Sequence, residues 1–234
     1  MLSVVATPIG NLGDCSERMR AALSSCDAIA CEDTRVTGQL ISLLGLPKKP
    51  LVALHGYSDR RKLEDVLARL RAGEHIVLVS DAGTPGISDP GYALVSAARA
   101  ENIRIEAVPG PAAFLTALSA SGLPVDAFTY LGFLPQKKGR KTLLQSLPDM
   151  EHTVVFYESV HRIARTLGEL AEVFAHQPQR PVVVARELTK MHEEVASTTM
   201  GELAQVASRI TAKGEFVVVI GPLPRRSKQM EEAE

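Results

Sequence analysis

The chain has no tryptophan, and aromatic residues make up only 4% of its 234 positions. A core of any size must therefore be aliphatic, built from Leu, Val, Ile and Ala, and at 45% hydrophobic residues there is material for one. Cysteine is scarce as well: Cys15, Cys26 and Cys31 form no CxxC pair. That excludes a disulfide framework and a zinc ribbon and fits a reducing, cytoplasmic setting. None of the six histidines falls in HExxH spacing, so metal-assisted hydrolysis has no support and no metal is expected. No run of about 18 apolar residues exists, which argues against a membrane span. The apolar start, Met1-Leu2-Ser3-Val4-Val5-Ala6-Thr7-Pro8, lacks a basic flank and breaks at Pro8, so it reads as a first strand and not a signal peptide. Charge of one sign is also missing: the formal net charge is −1, and any nucleic-acid contact would need local patches.

What is present is a regular alternation. Short apolar runs bounded by Gly, Pro or Asp alternate with longer periodic segments, the pattern of β/α units. Residues 2–6, 28–31, 51–54, 76–80 and 103–108 read as strands, with helices over 16–25 and 62–72 between them. Asp14 with Glu17 three positions on reads as a capping box for the first helix, and Gly73 as the stop of the second. The turn Val108-Pro109-Gly110-Pro111 is the best domain boundary, with Pro111 opening a helix over 112–121. Beyond it, strands are expected near 129–132, 153–157, 182–185 and 216–220, with helices near 141–147, 163–174 and 201–210. The expected layout is an N-terminal α/β domain over 1–111, a C-terminal α/β domain over 112–224 and a charged tail over 225–234.

In open α/β sheets ligands gather outside the carboxyl ends of the strands. Three Gly- and Pro-rich turns stand there. Thr7-Pro8-Ile9-Gly10-Asn11-Leu12-Gly13-Asp14 matches neither GxGxxG nor a P-loop, and alone it reads as a tight turn. The stretch from Ser80 to Ser88 is longer than a strand-to-helix turn needs, with Asp89-Pro90 serving as N-cap and first helical residue. Its glycines admit close backbone approach, and its proline stiffens the loop. The third turn, Pro109–Ala113, puts the small residues Ala112 and Ala113 at a helix start, where a flat ring or a neighbouring helix could pack. After the second strand comes a charged quartet, Glu32-Asp33-Thr34-Arg35, with Asp33 or Thr34 as N-cap or as a site residue, and Arg35 able to fork onto a phosphate. His55 beside Gly56 reads as a hydrogen-bonded structural residue.

Taken in order, several stretches resemble the tetrapyrrole methylase superfamily, and within it the branch that acts on ribosomal RNA. They are residues 6–14, 31–35, 80–91 and 108–113, then Tyr130-Leu131-Gly132-Phe133-Leu134-Pro135, Phe156-Tyr157-Glu158-Ser159, His161-Arg162-Ile163 and Ala185-Arg186-Glu187-Leu188-Thr189-Lys190. Gly83-Thr84-Pro85 stands where tetrapyrrole-modifying members usually show Gly-Asp-Pro, which favours the RNA branch; Val160 replaces an expected proline. Many members of the RNA branch carry a further small C-terminal domain, and this chain ends shortly after Gly221-Pro222.

The resemblance implies two α/β domains with an interdomain cleft for S-adenosyl-L-methionine, a homodimer, and 2′-O-methylation of a cytidine ribose in the decoding region of small-subunit RNA, free or in the assembled subunit. It implies cofactor contacts from Pro8, Gly83, Thr84, Ile87, Ala112, Ala113, Glu158 and Leu188. Asp33, with Glu32 second, is the expected proton acceptor, and Arg35 the phosphate holder. Of the basic clusters, Arg60-Arg61-Lys62 and Arg225-Arg226 with Lys228 read as solvated faces. Lys137, Lys138, Arg140 and Lys141, in a glycine-bearing loop, are better placed for RNA phosphates, with Lys190 a further candidate. A tetrapyrrole C-methyltransferase and a non-catalytic ribosome-assembly factor on the same fold are the competing readings.

Overall fold

The computed structural model describes residues 1–54, 60–88, 91–211 and 213–223. His55, Gly56, Asp89, Pro90, Arg225, Arg226 and Lys228 lie outside the described residues. The chain forms two compact units, residues 1–113 and residues from Phe114 onward.

In the first unit, β1 (Leu2–Val5), β2 (Ala28–Cys31), β3 (Leu51–Ala53), β4 (Ile76–Leu78) and β5 (Ile105–Val108) form one sheet in the order β3-β2-β4-β1-β5. Every pairing is parallel. Strands of a parallel sheet are covered on both faces, which is why β2 and β4 are continuous apolar runs, buried throughout. The helices α1 (Glu17–Ser25), α2 (Thr34–Leu43), α3 (Arg60–Arg71) and α4 (Tyr92–Ala100) supply the cover. Met19 and Leu23 of α1 and Ile41 of α2 pack with Val5, Ile29 and Val77 on one face. Leu67 and Leu70 of α3 and Leu94 and Ala98 of α4 pack with Leu2, Ala28 and Ile76 on the other.

Two local expectations meet different outcomes. Ser16, not Asp14, caps α1: its hydroxyl accepts from Met19 N–H at 3.1 Å, while Asp14 closes a separate turn of 3-10 helix over Leu12–Asp14. The intervening 3-10 turn uses up the residues that a capping box would need. Gly73 does end α3, in a left-handed conformation (φ 92°), with its N–H on Leu70 O and the next N–H on Arg69 O.

The second unit opens with α5 (Ala113–Ala120), whose first residue belongs to the first unit. It continues through β6 (Phe128–Phe133), α6 (Arg140–Ser146), β7 (Thr153–Glu158), α7 (Ile163–Val173), β8 (Pro181–Arg186), β9 (Glu194–Thr199), α8 (Leu203–Arg209) and β10 (Phe216–Ile220). The sheet order is β6-β7-β10-β8-β9, with β6 and β7 parallel and the other pairs antiparallel. Leu144, Leu167, Leu170 and Leu203 of the helices meet Val154, Phe156, Val184 and Val218 in one core. Below that core Arg180 is fully buried. Its guanidinium donates to the carbonyls of Pro148, Met150 and Gly221 and lies 5.2 Å from the Phe174 ring centroid. β9 has no counterpart among the strands expected from sequence; its Glu194-Val-Ala-Ser-Thr-Thr stretch is polar because it is a half-exposed edge.

Candidate functional site

The order β3-β2-β4-β1-β5 places the site. The chain leaves β1 for α1 on one face of the sheet and leaves the adjacent β4 for α4 on the opposite face. Neighbouring strands whose connections part in this way open a crevice at their carboxyl ends. The turns after β1, β4 and β5 occupy that position and are tied together. Thr7 and Gly83 exchange backbone hydrogen bonds, Thr7 N–H to Gly83 O at 2.9 Å and Gly83 N–H to Thr7 O at 3.1 Å. The Thr7 hydroxyl donates to Ser80 O, and the Ser80 hydroxyl to Gly83 O, each at 3.1 Å. The Thr84 hydroxyl donates to Pro111 O at 3.0 Å, which joins the third turn.

Pro8, Gly83, Thr84, Ala112 and Ala113 thus belong to turns that are hydrogen-bonded into one framework. Gly83 is buried at φ 87°, a conformation side chains rarely adopt, and a Cβ there would point between Ile9 and Pro111 O. Ile87 stands at the outer end of the turn, 36% exposed. Thr7 and Ser80, which tie the turns, carry no sequence signal of that role, since a buried hydroxyl looks like any other loop serine or threonine.

Asp33 is the N-cap of α2 and accepts from Arg35 N–H at 2.8 Å. The same carboxylate takes the fork of the Arg35 side chain, with Nη2 at 2.6 Å. These bonds hold the carboxyl at about 2, below its usual 3.8. Arg35 is otherwise open to solvent. Asp81, at the foot of the second turn, accepts from Asp33 N–H at 3.0 Å and so links the quartet to the β4 turn. Glu32 lies beside it, and with Cys31, Ser80 and Pro85 lines a space large enough for about one water, too small for a cofactor. Burial pushes the Cys31 thiol up, so it is no thiolate nucleophile near neutral pH.

In the second unit several expected residues are committed elsewhere. The Glu158 carboxylate is fully buried and satisfied. One oxygen accepts from Ser159 N–H and pairs with Arg162 at 2.7 Å; the other accepts from the Thr166 hydroxyl at 2.7 Å. A contact from Glu158 to a cofactor would have to be through its backbone. Arg140 is not available to RNA: it is buried, paired with Glu169 at 2.7 Å, and donates to Thr166 and to Pro135 O. A run of basic residues cannot reveal that one member turns inward to a carboxylate twenty-nine positions away.

Lys137, Lys138 and Lys141 are exposed. Lys190 is half-buried between Glu187 at 2.8 Å and Glu215 at 3.0 Å. Burial would lower its ammonium, but these bonds outweigh it and raise it, so the charge is held locally. Leu188 is buried between Glu187 (φ 49°) and Thr189 (φ 67°), two non-glycine residues in the left-handed region. Such backbone strain collects at functional turns. The partners Arg162 and Thr166 have no role assigned from sequence: Glu158 ends β7 while Arg162 and Thr166 lie at the start of α7, and only the turn between them brings the three together.

Among the described residues no group of three or more His, Cys, Asp or Glu side chains is placed to hold a metal, and no helix is long and apolar enough to cross a membrane. The family model of the tetrapyrrole (corrin/porphyrin) methylases matches residues 1–204. The chain is 49% identical to the ribosomal RNA small subunit methyltransferase I of Xylella fastidiosa over 94% of its length and 80% of that protein. It is 46% identical to the protein of the same name from Escherichia coli O157:H7, over 94% of this chain and 77% of the other. Among solved structures, a cobalt precorrin-4 methyltransferase superposes with a TM-score of 0.69 at 18% identity, covering 94% of each chain. Diphthine synthase superposes at 0.70 and 15% identity, over 94% of this chain and 89% of that one. At such identities the structures speak for the fold alone. The sequence relatives go further, and with the family model they place this chain in the tetrapyrrole methylase family, in the branch of the ribosomal RNA small subunit methyltransferases I.

Proposed function

We propose that the protein transfers a methyl group from S-adenosyl-L-methionine to the ribose 2′-hydroxyl of a cytidine in small-subunit ribosomal RNA, as a homodimer acting in the cytoplasm. The observation that carries the donor half is the knitted set of turns after β1, β4 and β5. These turns, residues 6–14, 80–88 and 109–113, contain no Lys or Arg, and their acids are Asp14 and Asp81. A set of backbone carbonyls and small apolar side chains suits a sulfonium donor, and the turns hold no cation to pair with a phosphate. Pro8, Gly83, Thr84, Ala112 and Ala113 would hold it, with Ile87 at the outer end of the turn. When bound, the donor supplies an activated methyl whose reactivity is its own.

The protein's part is then to orient the acceptor and take its proton. Methyl transfer needs the 2′-oxygen in line with the sulfur–methyl bond, so positioning carries much of the rate. A ribose hydroxyl is a poor nucleophile until its proton is accepted. Asp33 is the first choice for that role by sequence, yet a carboxyl held at about 2 by Arg35 is a weak base at neutral pH. We therefore reverse the order: Glu32 accepts the proton, while Asp33 aims Arg35 at a neighbouring phosphate.

The test is transfer of labelled methyl to small subunits from cells lacking the protein, followed by mapping of the modified ribose. Wild-type protein should label one cytidine 2′-position. Glu32→Gln should lower turnover by about a hundredfold, within the range for a general base. Asp33→Asn, which keeps a good cap, should cost far less. A normal rate for Glu32→Gln with a collapsed rate for Asp33→Asn would restore the first assignment. Labelling of a base carbon, or none, would remove the acceptor reading. Light scattering should give twice the 25.2 kDa chain mass.

A further inference from the structure

Half of the chain's ten aromatic rings lie in one string on the second unit. Phe128, Phe114, Tyr130, Tyr157 and Phe133 follow one another with ring centroids 4.4–6.2 Å apart. The string ends at Phe133, which is 55% exposed, and a fixed bond within it, Phe114 N–H to the Tyr157 hydroxyl at 3.2 Å, sets the pose of its centre. In a chain so poor in aromatics, a phenylalanine left this open to water calls for a reason.

Its direction is built in. Side chains alternate along a strand, so Tyr130 and Phe133, three apart, would ordinarily point to opposite faces of β6. Both rings nevertheless meet Tyr157, at 5.5 and 5.4 Å. The reason is a register break: Tyr130 pairs with Val155 and Phe133 with Tyr157, which leaves one extra residue on β6. Gly132 sits in the bulge at φ 61°. Bulges re-aim a side chain at a functional edge, and between parallel strands they are rare.

The loop that follows is both basic and pinned. From Phe128 to Leu147 there is no acidic residue, whereas Lys137, Lys138 and Lys141 are exposed. Arg162 donates to Leu134 O at 2.9 Å and Arg140 to Pro135 O at 3.2 Å, so two arginines fix the chain directly after Phe133. Both arginines are oriented by Glu158, at 2.7 Å from Arg162 and 3.6 Å from Arg140. Burying such a network costs desolvation that an apolar cluster would not, so its return is a fixed geometry.

We propose that Phe133 is a stacking platform for an unpaired base of the RNA substrate, presented by the Gly132 bulge and flanked by the lysine loop that holds the adjacent phosphates. An aromatic face beside a positive, acid-free loop is the combination by which proteins hold single-stranded nucleic acid. This inference rests on the RNA-methyltransferase reading, deepens it, and is tested separately from it.

Because the protein has no tryptophan, Phe133→Trp introduces a single reporter. Its emission should be quenched when unmethylated small-subunit RNA is titrated in, and the quench should weaken with salt. Phe133→Ala should raise the KM for small subunits by roughly five- to a hundredfold, the cost of one missing stack, with donor affinity unchanged by calorimetry. Phe133→Tyr should recover most of the loss. If wild-type protein labels no small subunit, the acceptor reading fails whatever the fluorescence does. If it labels them and Phe133→Ala matches it while Phe133→Trp stays unquenched, the platform is refuted. A Phe133→Ala variant whose mass by light scattering falls would assign the ring to self-association and also overturn the proposal.

Discussion

Gly83 meets two demands with one residue. Its φ of 87° lets the turn after β4 fold back on Thr7, and its missing side chain leaves the gap between Ile9 and Pro111 open. An added Cβ would lie 3.5 Å from Ile9 and 3.7 Å from Pro111 O, ordinary contacts, so an alanine there is penalised by conformation more than by collision. The left-handed region costs an L-residue about 1–2 kcal/mol. A valine adds volume to that strain. Gly83→Val should therefore weaken S-adenosyl-L-methionine binding by about a hundredfold, or close to 3 kcal/mol, by calorimetric titration. Gly86→Ala is the control: its φ of 82° imposes a like strain, but nothing lies within 4 Å of the new methyl. Equal losses in the two variants would mean that backbone strain alone, and not the gap at Gly83, governs donor binding.

At the scale of elements, what is legible in the sequence follows from burial. Strands covered on both faces, such as β2 and β4, announce themselves as apolar runs, and so does β10 at the centre of the second sheet. β9 does not, because an edge strand needs no such run. The bulge in β6 is equally hidden, since Gly132 alone does not say which register its neighbours take. Around the site, the turns are legible because Gly and Pro mark them, but which carboxylate does what is not. Asp33 shows why: cap, ion pair and base are all open to an Asp at a strand end, and the pairing with Arg35 separates them.

The α2 cap offers a direct check. With its folded value lowered from 3.8 to about 2, Asp33 contributes to stability above pH 3.8, and that contribution is lost as pH falls through about 2. Carbon NMR of the carboxyl should find a midpoint near 2. Arg35→Gln removes the largest cause of the shift and should move the midpoint back toward 3.8. A wild-type midpoint already near 3.8 would break the pairing, and with it the argument that Asp33 is too weak a base.

For the molecule as a whole, the net charge of −1 sets a constraint on binding a polyanion. A protein without a broad positive field gains affinity only where cations are concentrated, and such sites release counterions in proportion to the phosphates they neutralise. The structure narrows the candidates that the sequence offered. Arg140 is spent on Glu169 and Lys190 on Glu187 and Glu215, whereas Lys137, Lys138 and Lys141 remain open to solvent. The dependence of RNA affinity on salt should thus come largely from one short segment, the loop with Lys137 and Lys138 and the first turn of α6 with Lys141. Replacing Lys137 and Lys138 together by alanine should reduce the slope of log affinity against log salt by about two, one for each phosphate no longer neutralised. Lys48 and Lys49, in the loop before β3, provide the matched comparison, because replacing them removes the same two charges from the whole chain. If the long-range field mattered most, both double variants would shift affinity alike; if the local loop does, only the Lys137 and Lys138 pair changes the slope. Equal slopes in the two would place the RNA somewhere other than the face that carries Phe133.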